Sequence, residues 1–103
     1  MIPIRFVSAA REDLNEDALW YEQREAGLGM RFLDEVRHTL ERIVADPESH
    51  PQVDQVWRRR NVRRCSVAVF PYQVIFEIRP EEIVVLAVAH GSRRPGYWSR
   101  RKG

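Results

Sequence analysis

Twelve residues, His90 to Arg101, hold one histidine, four arginines, a tyrosine and a tryptophan (HGSRRPGYWSRR). His90 is the one group among them whose ordinary pKa lies near neutrality. Arg93, Arg94, Arg100 and Arg101 can fork onto phosphates or carboxylates but almost never release a proton. Tyr97 and Trp98 each join an apolar ring to a polar handle, which suits an interface as well as a packed surface. Such a segment is poor core material. It fits a polyanion or an acidic protein partner. A second cluster, Arg58, Arg60, Arg63 and Arg64, lies upstream. Each residue also has a structural reading. His90 can bond to backbone at a strand end, Tyr97 and Trp98 can pack the tail back onto a sheet, and in an alternating strand at least one arginine of the 58–60 run is a solvated residue or pairs with acidic helices.

Several chemistries are excluded. His38, His50 and His90 lack metal-ligand spacing, so no zinc site and no other metal is expected. There is no glycine-rich phosphate loop and no G-x-S-x-G elbow, and no cofactor is expected. The chain has one cysteine, Cys65, so no internal disulfide can form, and its place in a strand pattern marks it as a packing residue. No apolar run is long enough to span a membrane, and the first residues do not read as a secretory signal, so a cytoplasmic location is expected.

Net charge is +2, with a strong asymmetry beneath it. Residues 1–54 carry 12 acidic and 6 basic side chains, while residues 55–103 carry 3 acidic and 11 basic ones. The chain is therefore acidic first and basic last. Sixteen of its basic residues are arginine and only Lys102 is lysine.

At 103 residues the chain is expected to form a single domain over 1–103 with one modest core. Ile2 to Val7 alternates as a strand. Ser8 is suited to cap a helix in which Ala10, Leu14, Ala18 and Tyr21 share one face. Gly27 and Gly29 permit a tight turn. Phe32, Leu33, Val36, Leu40, Ile43 and Val44 mark a second helix, ended by Pro47. Residues 47–57 are a loop. Strands follow at Arg58 to Ala68, Tyr72 to Arg79 and Ile83 to Ala89, the last so apolar that it should be central and covered on both faces. The order is β-α-α-β-β-β, an α+β fold. Its four-stranded, mainly antiparallel sheet should carry a helical hairpin on one face and leave the other free for work.

These pieces in this order resemble the RelE/ParE superfamily of type II toxin–antitoxin toxins, often labelled plasmid stabilisation proteins. The segments that carry the resemblance are AREDLNEDALWYE, GLGMRFLDEVRHTLERIVADP, VRRCSVAVFPYQVIFEI and IVVLAVAHGSRRP. The resemblance implies a growth-inhibiting toxin neutralised by an antitoxin encoded beside it, in a hetero-oligomeric complex. It implies one of two targets. RelE-like members cut messenger RNA in the ribosomal A site, and ParE-like members inhibit DNA gyrase without being known hydrolases. A nontoxic RNA-binding module is the remaining reading.

Metal-free RNA cleavage needs a base for the 2′-hydroxyl, cations on the phosphorane and an acid for the leaving oxygen. By resemblance His90 and Tyr97 would supply acid and base, with Arg63, Arg64 and Arg93 on the phosphate. Arg58, Arg60, Arg94, Trp98, Arg100 and Arg101 would bind nucleic acid or a partner. Tyr97 could act if the surrounding arginines lowered its pKa. RelE-like sites commonly contain lysines, whereas here arginines dominate and a convincing general base is missing. That balance favours gyrase inhibition by binding.

Overall fold

The computed structural model describes residues 2–53 and 60–102. Seven elements follow one another: β1 (Ile4–Phe6), α1 (Ser8–Arg24), α2 (Leu28–Ala45), a short 3-10 turn (Pro47–Ser49), β2 (Val62–Ser66), β3 (Tyr72–Ile78) and β4 (Ile83–His90). The sheet order is β1-β4-β3-β2, with β1 parallel to β4 and the other pairs antiparallel. This is the expected α+β arrangement, with the apolar β4 in the interior. Its residues from Ile83 to Val88 are buried on both faces.

Small residues bring α1 close. Ala10, Leu14 and Ala18 are buried at four-residue spacing, and Tyr21 continues their face into an aromatic cluster with Phe32, Phe70 and Tyr72, at centroid distances of 5.0 to 6.2 Å. In α2 the buried positions are Gly29, Phe32, Val36, Thr39 and Ile43, while Leu33 and Leu40 lie at the margin of the core. Thr39 satisfies its hydroxyl by donating to Glu35 O at 2.8 Å. Arg42 then reaches off α2 to Ser66 O at 2.7 Å, tying the hairpin to the edge strand β2.

The turn between the helices depends on two glycines. Gly27 has φ +90°, a backbone region that side-chain-bearing residues rarely adopt. A Cβ on Gly29 would lie 2.5 Å from Ala18 O, so the close crossing of the helices requires its absence. Glu22, near the end of α1, accepts from Gly27 N at 3.0 and 3.1 Å and from Gly29 N at 3.0 Å. One helix thereby caps the next, supplying a carboxylate to its N-terminal dipole.

Three local expectations are corrected. Ser8 is inside α1, and the cap position belongs to Val7, whose carbonyl accepts from Ala10 N and Arg11 N. The second strand begins at Val62. Arg60 precedes it, and Arg58 and Arg59 lie outside the described residues. The sheet face away from the helices is also partly covered, by the chain's own tail. Trp98 is 4% exposed and borders a cleft with Gln73, Ile75 and Ala89 of that face. A ring of this size in the tail buries too much apolar surface to remain in water.

Candidate functional site

The tail is fastened at three places. On β3, Glu77 is the one acid of a mostly apolar strand, 7% exposed. Its carboxylate accepts from Arg60 Nε and Nη2 at 2.8 and 3.0 Å and from Arg79 Nε at 2.9 Å. Those hydrogen bonds from Arg60, together with the ones from Arg79, hold the Glu77 carboxyl below the ordinary carboxylate range, against the opposing effect of burial. Oriented this way, Arg60 donates to the carbonyls of Ser99 and Arg101, both at 3.2 Å, and Arg79 donates to Lys102 O at 2.7 Å.

The third fastening is at the sheet edge. β1 ends at Phe6, so β4 beyond Val85 has no neighbouring strand on that side. Asp13 of α1 accepts there from Val88 N at 3.4 Å. Arg101 fills the remaining space, donating to Asp13 Oδ2 at 2.7 Å and to Leu86 O at 2.9 Å. Leu86 is the residue skipped in the β3–β4 register, where Ile75 pairs with Ala87 and Phe76 with Val85, and that bulge leaves its carbonyl free of the ladder.

Tyr97 donates to the same Asp13 at 3.4 Å, with the guanidiniums of Arg93 and Arg101 over its ring at 3.9 and 5.1 Å. Burial, followed by the Asp13 charge, pushes the Tyr97 phenol up, and the two arginines only partly oppose this. The lowered value that an acid–base role for Tyr97 would require is not met, because burial, and then the Asp13 charge, outweighs the arginines.

His90 ends β4 with its ring edge-on to Tyr72 at 5.0 Å. Its Nδ1 accepts from Ser92 N at 2.9 Å, which assigns the proton of the neutral ring to Nε2. With Tyr72 it borders a cleft of about 290 Å³ whose wall includes Asp13, Glu16 and Asp17. Burial, and then the neighbouring Asp13, raises the Asp17 carboxyl above its ordinary value. The histidine therefore looks onto a wall of three carboxyl groups and the guanidinium of Arg93.

Among the arginines singled out in the sequence, roles divide. Arg63 is bound to its own neighbourhood, donating to Glu48 O at 2.8 Å, His50 O at 2.7 Å and Asn61 at 2.9 Å. Arg64 pairs with Ile75 in the ladder, shares the tail's face and is exposed. His90, Arg93, Arg94, Tyr97 and Trp98 border one cleft of about 170 Å³, but neither Arg63 nor Arg64 joins them. Among the described residues Arg64, Arg94, Arg100 and Lys102 have no side-chain partner. Sequence reasoning missed Asp13, Glu77 and Arg79. Glu77 had a readable signal, since a carboxylate within an apolar strand must find cations. Asp13 had none. Among the described residues no group of His, Cys, Asp and Glu is placed to hold a metal ion, and no helix is long and apolar enough to cross a membrane.

Comparison with solved structures finds a chain of the "Chromosomal ParDE TA system from P. aeruginosa", with TM-score 0.71 and 14% identity, covering 87% of this chain and 96% of that one. At that identity the likeness establishes the fold. A search of curated proteins finds no match. Residues 4–95 match the family described as the ParE toxin of the type II toxin–antitoxin system parDE. The match spans both helices, all four strands and the first part of the fastened tail, and the chain belongs to this ParE toxin family, as the toxin component of a type II module.

Proposed function

We propose that this toxin arrests bacterial growth by binding DNA gyrase in the cytoplasm, and that a cognate antitoxin neutralises it in a hetero-oligomeric complex. The observation that carries the reading is the setting of Tyr97. Its phenol is bound to Asp13 and its proton is held by burial. A group so placed is a poor base near neutral pH. His90 shares one cleft with Asp13, Glu16 and Asp17, which disfavour a phosphate there, and on its other side it meets Arg93 and Arg94, which supply charge but do not move protons. Arg63 spends its donors on backbone carbonyls. What the tail face offers is charge for binding, on Arg64, Arg94, Arg100 and Lys102. An acidic or amphipathic antitoxin segment that folds on binding would find the same charges, and its encounter rate would fall with added salt.

The test is induction of the chain alone and with the neighbouring reading frame, followed by two assays on the arrested cells. Gyrase–DNA cleavage complexes with intact transcripts are expected, and arrest should survive His90→Ala. Transcripts cut at codon boundaries on ribosomes, lost in His90→Ala or Tyr97→Phe, would establish the endonuclease reading instead. Normal growth on induction would remove both.

A further inference from the structure

Below Trp98 the tail and the end of β3 enclose a cleft of about 620 Å³, lined by Arg60, Glu77, Arg79, Ser99, Arg100 and Lys102. Four cations face one carboxylate. Arg60 and Arg79 are held in place by Glu77, and they fix the tail backbone through Ser99 O, Arg101 O and Lys102 O. The side chains of Arg100 and Lys102, carried on that fixed backbone, have no partner among the described residues. On the same face, Val62 pairs with Glu77 and Arg64 with Ile75. Arg64 therefore lies two residues further along β2, about 7 Å at the usual strand rise. It too has no side-chain partner among the described residues. Two uncommitted cations thus line the cleft, whose floor is held by the ion pairs of Glu77, and Arg64 stands beside it on the same sheet face.

We infer that this cleft is a binding site for the phosphate backbone of duplex DNA, so that the toxin holds DNA directly. The choice of DNA rests on the gyrase reading above, since gyrase works on a duplex and a DNA contact would favour the DNA-loaded enzyme over the free one. The chemistry fits a backbone better than bases. The cleft offers spaced charges and aliphatic stems, and Trp98, next to its Ser99, is buried and unable to stack on an unpaired base. Backbone positions order Arg100 and Lys102, so less chain entropy is lost when they bind than in a loose tail.

The test uses the whole chain, a short fluorescent DNA duplex and no gyrase, with anisotropy read over a salt series. Three phosphate contacts predict a salt slope near −3, an affinity loss of about 40-fold between about 50 and about 200 mM salt. In the Arg100→Ala/Lys102→Ala variant the slope should fall to about −1 and the loss to about 4-fold over the same range. Neither side chain supports the fold, so that variant should keep the parent melting temperature. Arg31→Ala, at an exposed position of α2, should leave duplex binding within twofold of the parent. No duplex binding at low salt, or a slope unchanged in the double variant, overturns the inference. Tighter binding to single-stranded RNA, or equal binding to polyglutamate, does so too and assigns the cleft to that ligand. The result separates from the gyrase reading. DNA binding can fail while pull-down of DNA-free gyrase succeeds, and DNA binding can persist if gyrase is not bound at all.

Discussion

Arg60 and Glu77 meet through two nitrogens and two oxygens at 2.8 and 3.0 Å, and the same guanidinium reaches the carbonyls of Ser99 and Arg101. A planar fork oriented by a carboxylate on one edge can present its other donors in a fixed direction. The ion pair is thus a bracket for the tail.

Glu77→Gln should therefore act at a distance. It leaves two arginines without their shared carboxylate and should lower stability by roughly 3 kcal/mol, the cost of breaking a largely buried pair. Limited proteolysis should cut the tail of the variant sooner than the parent. Unchanged denaturation and unchanged tail protection would show that the bracket contributes nothing.

The same carboxyl sets an acid limit. Its native value is lowered, chiefly by the hydrogen bonds from Arg60, so the native state binds fewer protons than the unfolded chain. Its contribution is present above the unfolded carboxylate value of about 4.3 and disappears as pH falls through the lowered native value. Urea midpoints measured from neutral pH downward should drop in the parent and drop less in Glu77→Gln.

Tyrosines set the alkaline limit. Burial raises both Tyr72 and Tyr97, with Asp17 the next influence on Tyr72 and Asp13 the next on Tyr97. Native stability from these phenols is complete below the unfolded tyrosine value of about 10 and declines as pH rises past it. Ultraviolet titration of the folded protein should show Tyr72 and Tyr97 ionising later than the free amino acid. Tyr97→Phe should remove one of the late steps.

Val69 stands between β2 and β3 with φ 73°, and is 73% exposed. A β-branched residue in the left-handed region is strained by about 1–2 kcal/mol, and here no burial offsets it. Val69→Asn should stabilise the protein by about 1 kcal/mol, read as a higher melting temperature. A lower one would mean that the valine makes contacts its exposure denies.

At the helix crossing, Gly29→Ala should cost about 2 kcal/mol or more, because the new methyl meets the backbone carbonyl of Ala18, which cannot swing aside. Glu22→Ala should cost about 1 kcal/mol through loss of the cap. Equilibrium denaturation of both variants checks the order.

Much of the architecture was legible because it rests on periodicity. The spacing of Ala10, Leu14 and Ala18, the stripe from Phe32 to Ile43 and the unbroken apolar run of β4 each admit one burial pattern. The tail's residues were legible as special, but their geometry was not. Tyr97 and Arg101 are governed by Asp13, a residue 84 and 88 positions away. No local pattern announces such a partner. The Ser8 cap failed for a related reason: the strand entering α1 puts Val7 in the extended conformation the cap position requires, at φ −68° and ψ 155°.

The parallel pairing of Ile4 with Ile83 has a temporal side. During synthesis β1 leaves the ribosome well before its only neighbour exists, whereas the helical hairpin can close as soon as Gly29 has emerged. Pairing across so long a loop comes late because the closure entropy must be met first. A nascent chain halted anywhere before β4 lacks the central strand on which β1, β3 and α1 rest. The finished sheet, and the tail surface built on it, can assemble only once almost the entire toxin has been translated, so interrupted translation yields fragments without that surface.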